Sequence, residues 1–176
     1  MAVSPNIRPS GSPNWSGQRP RSRSRDLDLL DYPMHFFGEE RATTAESESA
    51  ERWKKKLREF DGFIFTVAEY NHAPTAVLKN AIDLGEFIQK PVGFVGYGGV
   101  GGARAVEQLR LIFVEMSAAS VKTGVHIAFS EYLAVLKEGK SLGDYAHLNE
   151  AAKNLLDQIT WWGNALKAAR SVVTSA

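Results

Sequence analysis

The chain contains no cysteine. Disulfides, thiolate nucleophiles and cysteine-ligated metals are therefore excluded. It also lacks any run of about 18 apolar residues, the length a helix needs to cross a bilayer, so no membrane-spanning helix is expected and a soluble, cytoplasmic protein is the default. The first 25 residues contain no acid; they hold Arg8, Arg19, Arg21, Arg23 and Arg25 and four of the seven prolines, which leaves 16 basic against 20 acidic residues, net −4, for residues 26–176. A basic tail can attract nucleic acid or an anionic membrane, but this one has no amphipathic period, and the mildly acidic remainder offers no basic face. Neither nucleic acid nor membrane is expected as a partner. Residues 1–25 read as a disordered or atypical tail, with residues 26–176 as one domain. No internal repeat or long linker divides them.

With 44% hydrophobic and 23% charged residues in 176, the chain is large enough to bury one core. Asp26–Tyr32 ("DLDLLDY") alternates like a short strand that stops at Pro33. Glu46–Phe60 predicts a surface helix, with Ala50, Trp53, Leu57 and Phe60 on one stripe and acids before lysines as the helix dipole favours. Phe63–Val67 ("FIFTV") reads as a buried strand, Glu69–Ala73 as a loop, and Pro74 as the first residue of a helix to about Glu86. Pro91–Tyr97 ("PVGFVGY") is a second buried strand, and a helix follows from about Ala103 to Met116. Val121–Phe129 is a further strand. Leu148–Ala169 is a closing helix with Leu148, Ala152, Leu155, Ile159, Trp162 and Leu166 inward. Strands alternating with helices predict an α/β fold with a parallel sheet.

"VGYGGVGGAR", Val95 to Arg104, packs five glycines into seven positions. Gly96, Gly98 and Gly101 satisfy G-x-G-x-x-G between a strand and a helix, as dinucleotide binding requires. That motif also needs an acidic residue about 20 positions on, to hold a ribose. Position 120 is Ser120; the nearest acids are Glu115, in the preceding helix, and Glu131, beyond the next strand. The phosphate loop G-x-x-x-x-G-K-[ST] is absent. What remains is a stretch of bare N–H groups at the carboxyl end of a strand, where loops of open α/β sheets bind ligands. "AEYNH" ends the neighbouring strand in the same way. A planar ring with polar edges suits both. His35, His126 and His147 are scattered without metal-ligand spacing, and no metal is expected.

"FDGFIFTVAEYNHAPTAVLKNAIDLGEF" followed by "KPVGFVGYGGVGGARAVEQLRLIFVEM", with the closing "LLDQITWWGNALKAAR", resembles the flavodoxin-like NAD(P)H-dependent FMN reductases, the group that includes quinone, azo-dye and chromate reductases. The likeness covers about Asp26 to Arg170. It implies a flavodoxin-like three-layer sandwich with a parallel sheet, FMN as cofactor, NAD(P)H as hydride source and a small electron acceptor such as a quinone or free flavin. By match, Glu69, Tyr70, Asn71 and His72 on one loop and Tyr97, Gly98, Gly99, Val100 and Gly101 on the other hold the flavin ring. It also implies a homodimer, in keeping with Leu111 and Val114 lying off the stripe formed by Val106, Leu109, Phe113 and Met116. No catalytic residue is assigned, because the cofactor carries the reaction.

Members of that group begin with a buried strand and a loop resembling G-S-x-R-x-x-S, which receives the FMN phosphate. Here the first strand is missing or atypical, and Ser10-Gly11-Ser12 has neither a strand before it nor a helix-forming segment after it. Two readings of the beginning stay open, a mis-assigned start and a degenerate copy of the gene. The alternative function is a non-catalytic flavodoxin-like protein with weak or no FMN binding.

Overall fold

The computed structural model describes residues 24–173. Ser10-Gly11-Ser12 and most of the arginine-rich segment lie outside them. The sheet is built on β1, Phe63–Tyr70, and β3, Pro91–Tyr97, which pair in parallel from Phe63 opposite Val92 to Ala68 opposite Tyr97. On β1, the two-residue β2, Ala73–Pro74, folds back antiparallel. On the other edge of β3 lie β4, Ala119–Ser120, and β5, Val125–Ile127, both parallel to it.

Pleat alternation sends successive side chains of these strands to opposite faces. Phe63, Phe65 and Val67 of β1 and Val92 and Phe94 of β3 enter one core. They meet α1, Thr44–Arg58, α2, Ala76–Asp83, and α3, Ala103–Glu115, through residues such as Trp53, Leu78 and Phe113. Ile64 and Val95 pack on the opposite face. There Leu148, Ala152 and Leu155 of α5, Ala146–Val173, close the second core, to which Tyr132 of α4, Phe129–Glu138, is added. Helices thus cover both faces of a mostly parallel sheet, the three-layer α/β arrangement read from the sequence.

The ends of the elements differ from the pattern reading for identifiable reasons. Asp26–Tyr32 is not a strand: Asp28 accepts a hydrogen bond from the Leu30 N–H and turns Leu29–Asp31 into a short 3-10 helix, while Leu27 and Leu29 pack into the first core. Among the described residues no strand precedes β1. The helix expected from Pro74 begins instead at Ala76, capped by the Thr75 hydroxyl, because Pro74 belongs to the β2 pairing. The strand expected over Val121–Phe129 is split. Gln158 of α5 accepts from the Thr123 N–H at 3.0 Å and draws that residue out of the ladder, and Phe129 already starts α4, which pattern reading missed. Trp162 is 40% exposed, not a core residue; Gly163, buried beside Asp61 and Pro91, takes the inward position.

Phe65 is the hub of the larger core, with the rings of Phe63, Phe87, Phe94 and Phe113 centred 4.9 to 6.2 Å away. Phe65→Ala is expected to cost about 3 to 5 kcal/mol, the range for emptying a rigid aromatic site. Urea unfolding measures it, and a loss under about 1 kcal/mol would mean that the cluster is loosely packed.

Candidate functional site

β1 runs two residues past Ala68, so Glu69 and Tyr70 belong to a strand and not to the loop expected there. The chain then reverses through Asn71 and His72, both with positive φ, 51° and 68°, and returns as β2. Two consecutive left-handed residues are what a two-residue hairpin turn demands; asparagine tolerates this region better than histidine does. The turn lies at the carboxyl end of the sheet, as does the glycine loop that follows β3.

That loop is shaped by close approach. At Gly102 φ is +70°, and a Cβ there would stand 2.6 Å from the Tyr97 nitrogen, so only glycine lets the chain fold back onto the end of β3. Gly98, at φ +145°, faces the Glu69 Cβ, which brings the loop against β1. The Gly101 N–H donates to the Gly98 carbonyl at 3.1 Å and closes the turn. His126 of β5 donates from Nδ1 to the Gly101 carbonyl at 2.9 Å and supports the loop from below. The outer part is open: Gly99 has nothing within 4 Å of where a Cβ would stand, Val100 is 52% exposed, and neither N–H has an acceptor among the described residues.

Glu69 joins the two loops. Its side chain is only 3% exposed, and it pairs with the Arg104 guanidinium, Nε donating to Oε1 at 2.6 Å. Its Oε2 accepts from the N–H groups of Arg104 at 3.0 Å and Ala105 at 3.4 Å. The first residue before α3 is Gly102, which has no side chain with which to cap the helix, and Glu69 supplies the missing acceptor from a strand 33 or more positions away. Burial alone would raise the Glu69 carboxyl. Hydrogen bonds from Arg104 and the two amides outweigh it and hold the carboxyl below the usual carboxylate range. With a carboxylate seated on the start of α3, that helix end is not open to a pyrophosphate. The dinucleotide reading of the glycines therefore fails on geometry as well as on the missing acid.

Of the residues expected at the site, the structure brings Glu69 against Gly98, and Tyr70, Asn71 and His72 follow it at the same end of the sheet as the Gly98–Gly101 loop. Tyr70 is 58% exposed. Tyr97 is half-buried, and its ring stacks on Tyr132 of α4 with centroids 5.7 Å apart and planes at 17°. Sequence reading missed Arg104, Gln108 and His126. The first two stand four positions apart on α3, hence on one face, and that spacing directly after the glycines was the available signal. Among the described residues no three His, Asp or Glu side chains converge on a metal position.

Residues 24–131 match the family profile of the NADPH-dependent FMN reductases, well over half of the chain. The chain belongs to this family. Within it, an NAD(P)H-dependent FMN reductase of Schizosaccharomyces pombe is 30% identical over 148 residues, covering 71% of this chain and 73% of its own length. An NADPH azoreductase of a Bacillus species is 28% identical over 84% of this chain and 76% of the relative. Among solved structures, a flavoenzyme NAD(P)H:(acceptor) oxidoreductase from Paracoccus denitrificans aligns over 69% of each chain with a TM-score of 0.49 and 20% identity. FMN is the cofactor of this reductase family, and the ring side of the site is open enough to admit it: among the described residues the Gly99 and Val100 N–H groups have no acceptor, and nothing stands within 4 Å of where a Gly99 Cβ would be. No helix among the described residues is long and apolar enough to cross a membrane.

Because Glu69 titrates below its unfolded value, its contribution to stability is complete above about pH 4.3 and is lost as pH falls through the lower folded value. Glu69→Gln is expected to lower stability by about 1 to 3 kcal/mol at pH 7, with the gap to the wild type closing on acidification below pH 4. Urea titrations of both proteins across this range measure it. A gap independent of pH would show that the charge of Glu69 is not what stabilises the contact.

Proposed function

We infer that this chain is an NAD(P)H-dependent, FMN-containing oxidoreductase that passes electrons from NAD(P)H to a small acceptor such as a quinone or free flavin. Family membership supports the reaction class. The observation that carries the site is the pair of N–H groups, Gly99 and Val100, that have no acceptor among the described residues. Residues 26–176 form the functional unit in this proposal.

Bound FMN would supply the two-electron chemistry between nicotinamide and acceptor. The protein binds, orients and polarises. The N–H groups of Gly99 and Val100 would hold a polar edge of the ring, and fixed donors of this kind favour negative charge where it grows. Tyr70 and Asn71 would form the facing wall, with His72, Tyr97, Gly98 and Gly101 around them. Glu69 has both oxygens engaged by Arg104 and Ala105, so it offers no proton to a reacting atom. An open surface of this kind admits acceptors of different shape, which agrees with a family that holds both azo and quinone reductases.

Homodimerisation is part of the same proposal. Leu111 and Val114 stand 74% and 67% exposed on the outer face of α3, where a second copy would cover them. A monomer in light scattering at micromolar concentration would count against it. A cytoplasmic setting, with its supply of reduced nicotinamide nucleotides, completes the proposal.

The activity test is oxidation of NADPH and NADH by the purified protein with and without added FMN. FMN-dependent turnover is expected. Gly99→Val, which fills the open side of the loop, is expected to weaken FMN binding at least about tenfold, or about 1.4 kcal/mol, with little change in stability. No turnover at saturating FMN with either nucleotide would overturn the enzymatic reading.

A further inference from the structure

Arg104 makes no hydrogen bond to the residues from Gly98 to Gly101, yet both walls of the site depend on it. Its guanidinium engages Glu69, on which the Gly98 bend rests, with only 3.2 Å between the Glu69 Cβ and the place a Gly98 Cβ would occupy. A second arm of the same guanidinium, NH1, lies 2.7 Å from His72 Nε2. A guanidinium has donors and no acceptor, so Nε2 must accept, which assigns the histidine proton to Nδ1. One helical turn further along α3, Gln108 donates from Nε2 to the His72 carbonyl at 2.6 Å. The hairpin turn these contacts hold has two consecutive non-glycine residues at positive φ, a conformation that persists only where surrounding contacts over-determine it.

We propose that Arg104 is a positioning residue, a latch that fixes the Tyr70–His72 turn and the glycine loop as one rigid cradle for the flavin ring, with Glu69 acting through it and not on the ring. This rests on the FMN-binding function above. It departs from placing Glu69 in direct contact with the cofactor: the carboxylate faces α3, and its oxygens are spent there. His72, held through Nε2 and its carbonyl, shapes the turn that carries Tyr70.

The test combines hydrogen exchange of the cofactor-free protein with FMN titration, on wild type, Arg104→Ala, Arg104→Lys and, as a control, Lys153→Ala, which breaks an exposed ion pair on α5. In Arg104→Ala, the Gly101 amide, which donates to Gly98, and the β2-paired amides of residues 70–73 are expected to exchange faster together while residues 63–67 and 92–95 keep their protection, and FMN affinity falls at least about tenfold. A lysine can reach Glu69 but has no fork to span both partners, so Arg104→Lys is expected to restore protection at Gly101 and leave 70–73 loose. It also serves as the test should Arg104→Ala fail to fold. Lys153→Ala is expected to change neither reading. Exchange altered only in the first turn of α3, or faster exchange with unchanged FMN affinity, would overturn the proposal. Wild type that binds no FMN would instead refute the cofactor reading, and the exchange pattern would still decide whether Arg104 couples the two segments.

Discussion

A carboxylate withdrawn from water needs partners that replace its hydration, and Glu69 finds them at the start of a helix that cannot cap itself. That contact sets the site. Gly102 must be glycine for the loop to fold back on β3, and a glycine there has no side chain to accept from the first turn of α3. Glu69 can fill the gap because parallel pairing of β1 with β3 brings Ala68 opposite Tyr97, so the two strands end side by side. The Arg104 side chain then neutralises the charge. Remove the carboxylate and two things lose their anchor at once: the cap of α3 and the guanidinium that reaches the hairpin.

The rest of the fold supplies rigidity behind this contact. Five phenylalanines, Phe63, Phe65, Phe87, Phe94 and Phe113, interlock between the sheet and its helices and fix where β1, β3 and α3 stand relative to one another. At the opposite end of the strands, Asp61 pairs with Lys167 and Arg170 and ties α5 to the entry of β1. Aromatic packing cannot tolerate small shifts, so the two loops inherit a fixed separation from the core. Little binding energy is then needed to order them around a flat ring.

Much of this was legible in the residues. The charge-free runs at Phe63 and Pro91 marked the central strands, and the clustered glycines after the second marked a backbone that something must approach. What could not be read was pairing between distant segments. That Glu69 turns away from the open surface follows from Arg104 and Ala105, more than 30 positions on, and no local pattern records it. Local rules also gave way where tertiary contacts competed. Asp28 turned an alternating segment into a 3-10 helix, Gln158 interrupted the last strand, and β2 pairing took Pro74 from the helix it was expected to start. Family membership added the identity of the ring, which geometry alone leaves as any planar group with polar edges.

The central claim is that the ring cradle consists of Gly99, Val100 and the Tyr70–Asn71 turn, organised before any ligand arrives. Amide NMR of the labelled protein during titration with riboflavin, which carries the ring without the phosphate, addresses it directly. Saturable shifts centred on Tyr70, Asn71, Gly99 and Val100, with the β1 and β3 interiors unmoved, are the predicted result. Shifts confined to other surfaces, or none at millimolar riboflavin, would contradict it.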